Sequence, residues 1–324
     1  MKAVDIVPLS ASSPGEHIDA WCRLDRLFWL EELPGLEPAT KAETLHELEP
    51  GIASRPVALL AIDEGEVVGG YVSSEPLMED TDTAQGWIVV DGGHRRRGVA
   101  AALLDAARET HVANGRKKLE SSVRVGSAAS AFTAQAGGTI TQIELCNVLE
   151  LERLPSELAT PPSPPAGYHL RTWSGECPDD LVAAYAAAHA AMNDAPRGTA
   201  EREGKSYTAA RVRDAEARER RVGITPLTTA AVTDDGEVAA YTDIVITGRP
   251  TSVIQEDTGV VRAHRGHGLG LAVKLANLHD VRAALPALRT VITWNAETNR
   301  HMLAVNERMG FRPHSRWEEV ELVL

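Results

Sequence analysis

Cysteine is scarce in this chain of 324 residues, and the three present, Cys22, Cys146 and Cys177, are odd in number and far apart. Such usage excludes a disulfide framework, and the spacing excludes a thiolate metal centre; reduced structural thiols are expected. No apolar run approaches the roughly 20 residues needed to cross a bilayer. The opening "MKAVDIVPLS" carries one lysine and no long apolar core, so it does not read as a secretory signal. Together these absences predict a cytoplasmic protein with no membrane partner and no metal. Lysine supplies only six of the 33 basic residues, a bias that, with abundant alanine, reflects a GC-rich genome more than a function. A formal charge of −13 argues against a nucleic-acid partner or an anionic-membrane surface.

Two nucleotide-binding motifs are missing as well. The Gly-Lys-Ser tripeptide at Gly204–Ser206 has Thr199 where a P-loop, G-x-x-x-x-G-K-S/T, needs its first glycine, which removes the P-loop, and the glycines of "HRGHGLGLAVKL" (264–275) run G-x-G-x-G, not the G-x-G-x-x-G of a dinucleotide fold. What the stretch does offer is glycine at a predicted strand-to-helix turn, after "DTGVV" (Asp257–Val261). A turn of this kind aims several backbone N–H groups at one point ahead of a helix N-terminus, a ready anion site. Glycine there tolerates positive φ and lets a ligand approach the backbone. The alternative is a glycine-rich connection that binds nothing.

The length leaves room for two domains, each able to bury a core, and 43% hydrophobic with 24% charged residues is the composition of a globular protein. A proline-rich segment over 154–166 reads as a semi-rigid linker between a domain at 1–153 and another at 167–324. On either side the same order of elements is predicted. In the first half, strands at 4–8, 56–62, 67–73 and 86–90 surround a helix at 17–30, followed by a helix at 99–113, a strand at 119–125, a short helix at 128–136 and a strand at 140–151. The second half repeats this with helices at 179–191, 208–221, 269–285 and 297–309, and strands at 168–172, 226–233, 238–247, 253–261, 290–294 and 317–323.

The glycine loop is itself repeated. "HRRRGVAAALL" (94–104) follows the predicted strand "GWIVV" (86–90), and Arg95, Gly98 and Ala100 align with Arg265, Gly268 and Gly270 at an offset of 170 residues. A repeat this long is a duplicated domain. The shared pattern, R-x-x-G-x-G/A between strand and helix, resembles the coenzyme A pyrophosphate motif of the GNAT superfamily of acyl-CoA N-acyltransferases. The layout is similar to that of the tandem-domain mycothiol synthases. The resemblance implies an α/β fold of two tandem domains, each a mixed twisted sheet flanked by helices. It implies acetyl-CoA or another acyl-CoA as co-substrate, and acyl transfer to a primary amine of a small-molecule acceptor. An acyl-CoA-binding or regulatory protein that does not catalyse is the alternative. The duplicated halves are expected to form an intramolecular pseudo-dimer, in a monomer or a homodimer.

Candidate site residues follow from the same motifs. The second loop brings Val260, Val261, Arg265, Gly266, His267, Gly268, Leu269 and Gly270 to the cofactor, and the first brings Val90, Arg95, Arg96, Arg97, Gly98, Val99 and Ala100. The three arginines grip phosphates or form a solvated cluster at a helix start. In "TWNAETNRHMLAVNERMGF" (293–311), Asn295 and Asn299 stand where the family holds the cofactor, or they cap a helix. Glu256 shares a strand face with Thr258 and Val260 and is the first candidate for the base. Asp257 faces the other way unless a bulge reverses the choice, and His264 and His267 compete. Asn306 occupies the place of the family's general-acid tyrosine, as Thr133 does in the first half. Met192, Asn193 and Asp194 are candidate acceptor contacts, or simply a helix-end turn. The first half lacks the asparagines and a strand acid, so it is expected to be a degenerate copy and the second half the catalytic one.

Overall fold

The strands and helices repeat in order, and the computed structural model describes them over residues 4–160 and 163–324. In the first half they are β1 (Asp5–Leu9), α1 (Gly15–Glu32), α2 (Lys41–His46), β2 (Ser54–Asp63), β3 (Glu66–Pro76), β4 (Thr83–Val90), α3 (Val99–Ala113), β5 (Lys118–Arg124), α4 (Ala128–Gln135) and β6 (Thr139–Glu150). The second half continues with β7 (Tyr168–Ser174), α5 (Val182–His189), α6 (Ala209–Val222), β8 (Thr225–Thr233), β9 (Val238–Ile246), β10 (Ser252–Val260), α7 (Leu269–Ala284), β11 (Thr290–Ala296), α8 (Arg300–Met309) and β12 (Arg312–Val323). Among the described residues, no helix is long and apolar enough to cross a membrane.

Two compact units result, and their boundaries depart from the expected ones. The first takes in residues up to Ile143 together with Thr199–Arg202 and Trp317–Leu324; the second comprises Glu144–Gly198 and Glu203–Arg316. Most of β6 therefore belongs to the second unit, where it pairs antiparallel with β11 from Glu144 to Glu150. The end of β12 belongs to the first, pairing antiparallel with β5 from Trp317 to Val323. Each unit borrows its last strand from the other half of the sequence. The expected linker is likewise less free than its prolines suggest. Leu154 and Leu158 pack against the apolar cluster of the second unit, and its residues 161–162 lie outside the described ones.

Strand order is β1-β2-β3-β4-β5-β12 in the first unit and β6-β11-β10-β9-β8-β7 in the second. Alternation builds two faces. Ala58 and Leu60 of β2 pack with Trp21 and Leu24 of α1, while Leu59 and Ala61 join Leu103 and Ala107 of α3. In the second unit, Ala230 and Tyr241 meet Leu181 and Tyr185, whereas Ala231 and Ala240 meet Leu269 and Val273 of α7. Among the described residues, each unit has a short parallel pair. β4 and β5 share only Thr83–Gln85 against Lys118–Glu120, and β10 and β11 only Ser252–Ile254 against Thr290–Ile292. Beyond those residues the strands part, which opens a gap in each sheet beside its glycine loop.

Candidate active site

Both loops are built the same way, residue for residue. A single 3₁₀ turn, Gly92–His94 or Arg262–His264, leads to an extended arginine, Arg95 or Arg265. Two left-handed residues follow: Arg96 (φ 61°) and Gly98 (φ 85°) in the first loop, Gly266 (φ 86°) and Gly268 (φ 75°) in the second. Left-handed residues so closely spaced turn backbone N–H groups toward one side, forming a cradle for an anion at the start of α3 and α7. Arg96 adopts without a glycine the conformation that Gly266 adopts easily, so strain is retained there. Each arginine is fixed by its own strand, Arg95 Nε donating to Val90 O at 3.0 Å and Arg265 Nε to Val260 O at 3.1 Å. Its guanidinium also meets an acid, Glu31 in the first unit and Asp194 in the second, the latter at 2.7 Å. Val99 and Leu269 bury their side chains at the helix starts, so only their backbones face a ligand. Arg97 and His267 stand exposed on the loop.

In the first unit the gap widens into a cavity of about 440 Å³, bordered by Trp87, Arg95, Leu104, Ser122, Phe132 and Thr133 among others. Tyr71 of β3 also borders it. Its hydroxyl lies 2.7 Å from His111 Nε2, and His111 Nδ1 lies 2.7 Å from Glu75 Oε1. Burial pushes the His111 ring below the ordinary histidine value, against the pull of Glu75. Burial works against the charge of Glu75 too, but hydrogen bonds from His111, Arg55 and Asn114 outweigh it and hold its pKa low. This chain of groups went unseen in the sequence, because its members are separated by up to 40 residues and none sits in a motif.

In the second unit the strand acids are rearranged by a bulge. Gln255 pairs with Ile244 and Thr258 with Thr242, so β10 carries one residue more than β9 over that interval. The alternation argument that favoured Glu256 fails for this reason. Glu256 is exposed, whereas Asp257 turns toward α5, with Oδ2 at 4.0 Å from His189 Nδ1. His189 Nδ1 lies 3.0 Å from the Tyr241 hydroxyl, and its ring stacks on Tyr207 at 5.1 Å. Burial, helped by Arg211, pushes His189 down to about 4, so the ring is neutral. Burial raises the Asp257 carboxyl, with Lys205 opposing. Asp243 beneath it is pushed up to about 7 by burial, although Thr228 at 2.6 Å and Tyr185 at 2.8 Å both donate to it. Glu219 of α6 also rises to about 7 through burial and the neighbouring charges of Glu216 and Glu256.

The remaining candidates divide. Asn295 and Asn306 come together, Asn306 Nδ2 donating to Asn295 Oδ1 at 2.6 Å, and the Oδ1 of the buried Asn306 has no partner among the described residues. Asn299 caps α8, accepting from the Met302 N–H at 3.2 Å. Asp194 is held by Arg265, and Asn193 organises the segment by bonding the backbone of Lys205 and the side chain of Arg197. Met192 packs into the apolar cluster around Tyr241. His264 is engaged on both nitrogens, by Tyr168 at 3.0 Å and Glu237 at 3.3 Å. Among the described residues, no group of three or more His, Cys, Asp or Glu side chains is placed to hold a metal ion. The cysteines form no disulfide, and burial pushes Cys146 and Cys177 up to about 12.

Comparison with known proteins agrees with this architecture. The family model for acetyltransferase (GNAT) proteins matches residues 19–137. Mycothiol acetyltransferase of Thermomonospora curvata is 28% identical over 261 residues, spanning 80% of each chain. A tandem GNAT protein from the clavulanic acid biosynthesis pathway, of known structure, is 30% identical, covers 99% of this chain and 98% of its own, and superposes with a TM-score of 0.81. A GCN5-related N-acetyltransferase from Sphaerobacter thermophilus shares the fold at 18% identity, with a TM-score of 0.68 over 98% of this chain and 95% of its own. With two copies of the glycine loop, two parted sheets and a relative matched from end to end, the chain belongs to the GNAT acetyltransferase family in its tandem form.

Proposed function

We propose that the chain transfers an acyl group, acetyl by default, from acyl-CoA to a primary amine of a small molecule, and that the second unit performs the transfer. The observation that carries this reading is the bulge in β10, which sets a half-exposed carboxyl, Asp257, beside His189 and Tyr241 where β10 and β11 part. The left-handed loop residues suit the diphosphate of coenzyme A. The gap between the parted strands suits its extended arm as an added strand, and a backbone N–H near Val260 suits the thioester oxygen.

An amine with a pKa near 10.4 is neutral in only about one molecule in a thousand at pH 7. Asp257, made more basic by burial, accepts the proton of the arriving ammonium directly or through water. The amine nitrogen then attacks the carbonyl carbon, the C–S bond breaks as the thiolate leaves, and the second proton, shed by the nitrogen as the amide forms, passes through solvent to the thiolate. Release of thiolate at pH 7 costs only about 2 kcal/mol for a thiol pKa near 8.5, so a tyrosine at the Asn306 position is dispensable. The first unit has a cavity and a loop but no acid on β4 (TAQGWIVV), which supports a binding copy. The test is thiol release from acetyl-CoA with a panel of primary amines. Amine-dependent release supports the reading. Tight acyl-CoA binding with no release for any amine assigns a non-catalytic, acyl-CoA-binding role instead.

A further inference from the structure

α7 carries a lysine inside the second unit. Lys274 is 1% exposed, and its Nζ lies 5.4 Å from the centre of the Phe311 ring. Among the described residues it has no hydrogen bond and no carboxylate partner. α7 packs on β7, β8, β9 and β10, and no charged group on any of them acts on the amine; burial alone pushes it down to about 7. The next polar side chain along the helix, Asn277, donates its Nδ2 to Leu227 O and Thr229 Oγ1 of β8, and its buried Oδ1 has no hydrogen-bond partner among the described residues, so it does not receive the Lys274 amine.

The duplicated loop says where this amine stands. Val99 and Leu269 are the first residues of α3 and α7, and Leu104 and Lys274 follow each by five positions. Leu104 borders the first-unit cavity. The second copy therefore places an ammonium-capable side chain at the depth where the first has an apolar wall. Keeping an unpaired amine buried is costly, and leucine serves the packing in the other copy, so packing does not account for it. An unpaired buried cation site is completed by an anion.

We propose that Lys274 selects the acyl group of the second unit, recognising an acyl-CoA whose chain ends in a carboxylate. This rests on the reading of the second unit as an acyl-CoA site. Binding such a chain forms an ion pair between its carboxylate and the Lys274 ammonium, and above neutral pH it draws one proton from solvent. No bond in the thioester is changed by this recognition.

The experiment is calorimetry on the full chain carrying Ala100→Glu, which closes the first loop. Acetyl-CoA is compared with malonyl-, succinyl- and glutaryl-CoA at pH 8 in two buffers of different ionisation enthalpy. At least one dicarboxylic thioester should bind about tenfold or more tightly than acetyl-CoA, with uptake of close to one proton that acetyl-CoA does not show. Lys274→Met, matched in length and apolar, should remove both the preference and the uptake. Equal affinities with acetyl-CoA binding intact overturn the proposal and leave the acyl-CoA reading standing. So does a preference that survives Lys274→Met. Failure of every thioester to bind overturns the acyl-CoA reading itself. If Lys274→Met does not fold, the affinities and proton uptake of the lysine-bearing chain still decide.

Discussion

At the scale of single residues, the two acids next to each other on β10 differ by environment, and their roles should differ too. Asp257 is half-exposed beside His189, with its carboxyl raised by partial burial; Glu256 is exposed. Asp257→Asn is expected to lower kcat by about 10²–10⁴-fold, the usual weight of a positioned base, with acyl-CoA affinity nearly unchanged. Glu256→Gln should cost far less. Because the base must be ionised, the kcat of the unaltered protein should fall on acidification at a pH above the ordinary aspartate value of 3.8. Steady-state rates of both variants from pH 5 to 9 check this, and a larger loss for Glu256→Gln reverses the assignment. Asp243 gives a stability counterpart. Its folded pKa, about 7, exceeds its unfolded value of 3.8, so the fold prefers the protonated acid. Its stabilising effect is complete at low pH and is lost as pH rises toward 7. Asp243→Asn keeps an acceptor for Tyr185 and Thr228 and should raise the melting temperature at pH 8 but not at pH 4.

At the scale of elements, the loops invite matched substitutions, and local geometry decides which are informative. Gly268 has φ 75°, so a side chain there is strained whatever it does to a ligand. Gly270 is free of that complication, and a Cβ would meet only Val260 Cγ2 at an ordinary 3.5 Å. Gly270→Glu should therefore abolish turnover in a folded protein, and Ala100→Glu should lower it far less. Circular dichroism and melting must accompany the rates, and the opposite ranking would move catalysis to the first unit. Arg96→Gly should stabilise the first unit by up to about 1–2 kcal/mol, the cost of a left-handed non-glycine residue, while weakening its hold on coenzyme A. The loops and most helices were legible because turn chemistry and periodicity are local: α3 begins and ends at the residues expected, Val99 and Ala113. α2 was missed despite a readable capping box of Thr40 and Glu43, because six residues give too short a pattern. The bulge was not legible at all, since one extra residue leaves no mark on a strand until its partner is known.

At the scale of the molecule, the compact units depart from the boundary expected at the proline-rich segment, for a physical reason. Composition locates a flexible connection, but the compact unit is decided by which strand completes each sheet, and that pairing is long-range. β5 pairs with β4 over three residues and with β12 from Trp317 to Val323, so most of its paired length depends on the C-terminus. Trp317, Val320 and Leu322 are each buried, and Phe28 packs beside Trp317 with ring centres 6.3 Å apart. A fragment ending at Arg153 leaves that edge of β5 open and uncovers this apolar surface, an aggregation-prone arrangement. The fragment 167–324 in turn lacks Glu144–Glu150, and with them the antiparallel neighbour of β11, on which Asn295 sits. Expressed separately, both fragments should be poorly soluble or melt well below the full chain. Co-expression should restore one cooperative, acyl-CoA-binding species. Removing only Trp317–Leu324 should destabilise the first unit, and a peptide of that sequence added in trans should recover part of the loss. Two independently stable fragments, each with the melting behaviour it has in the whole protein, would show that the borrowed strands contribute little and that the boundary lies at the prolines after all.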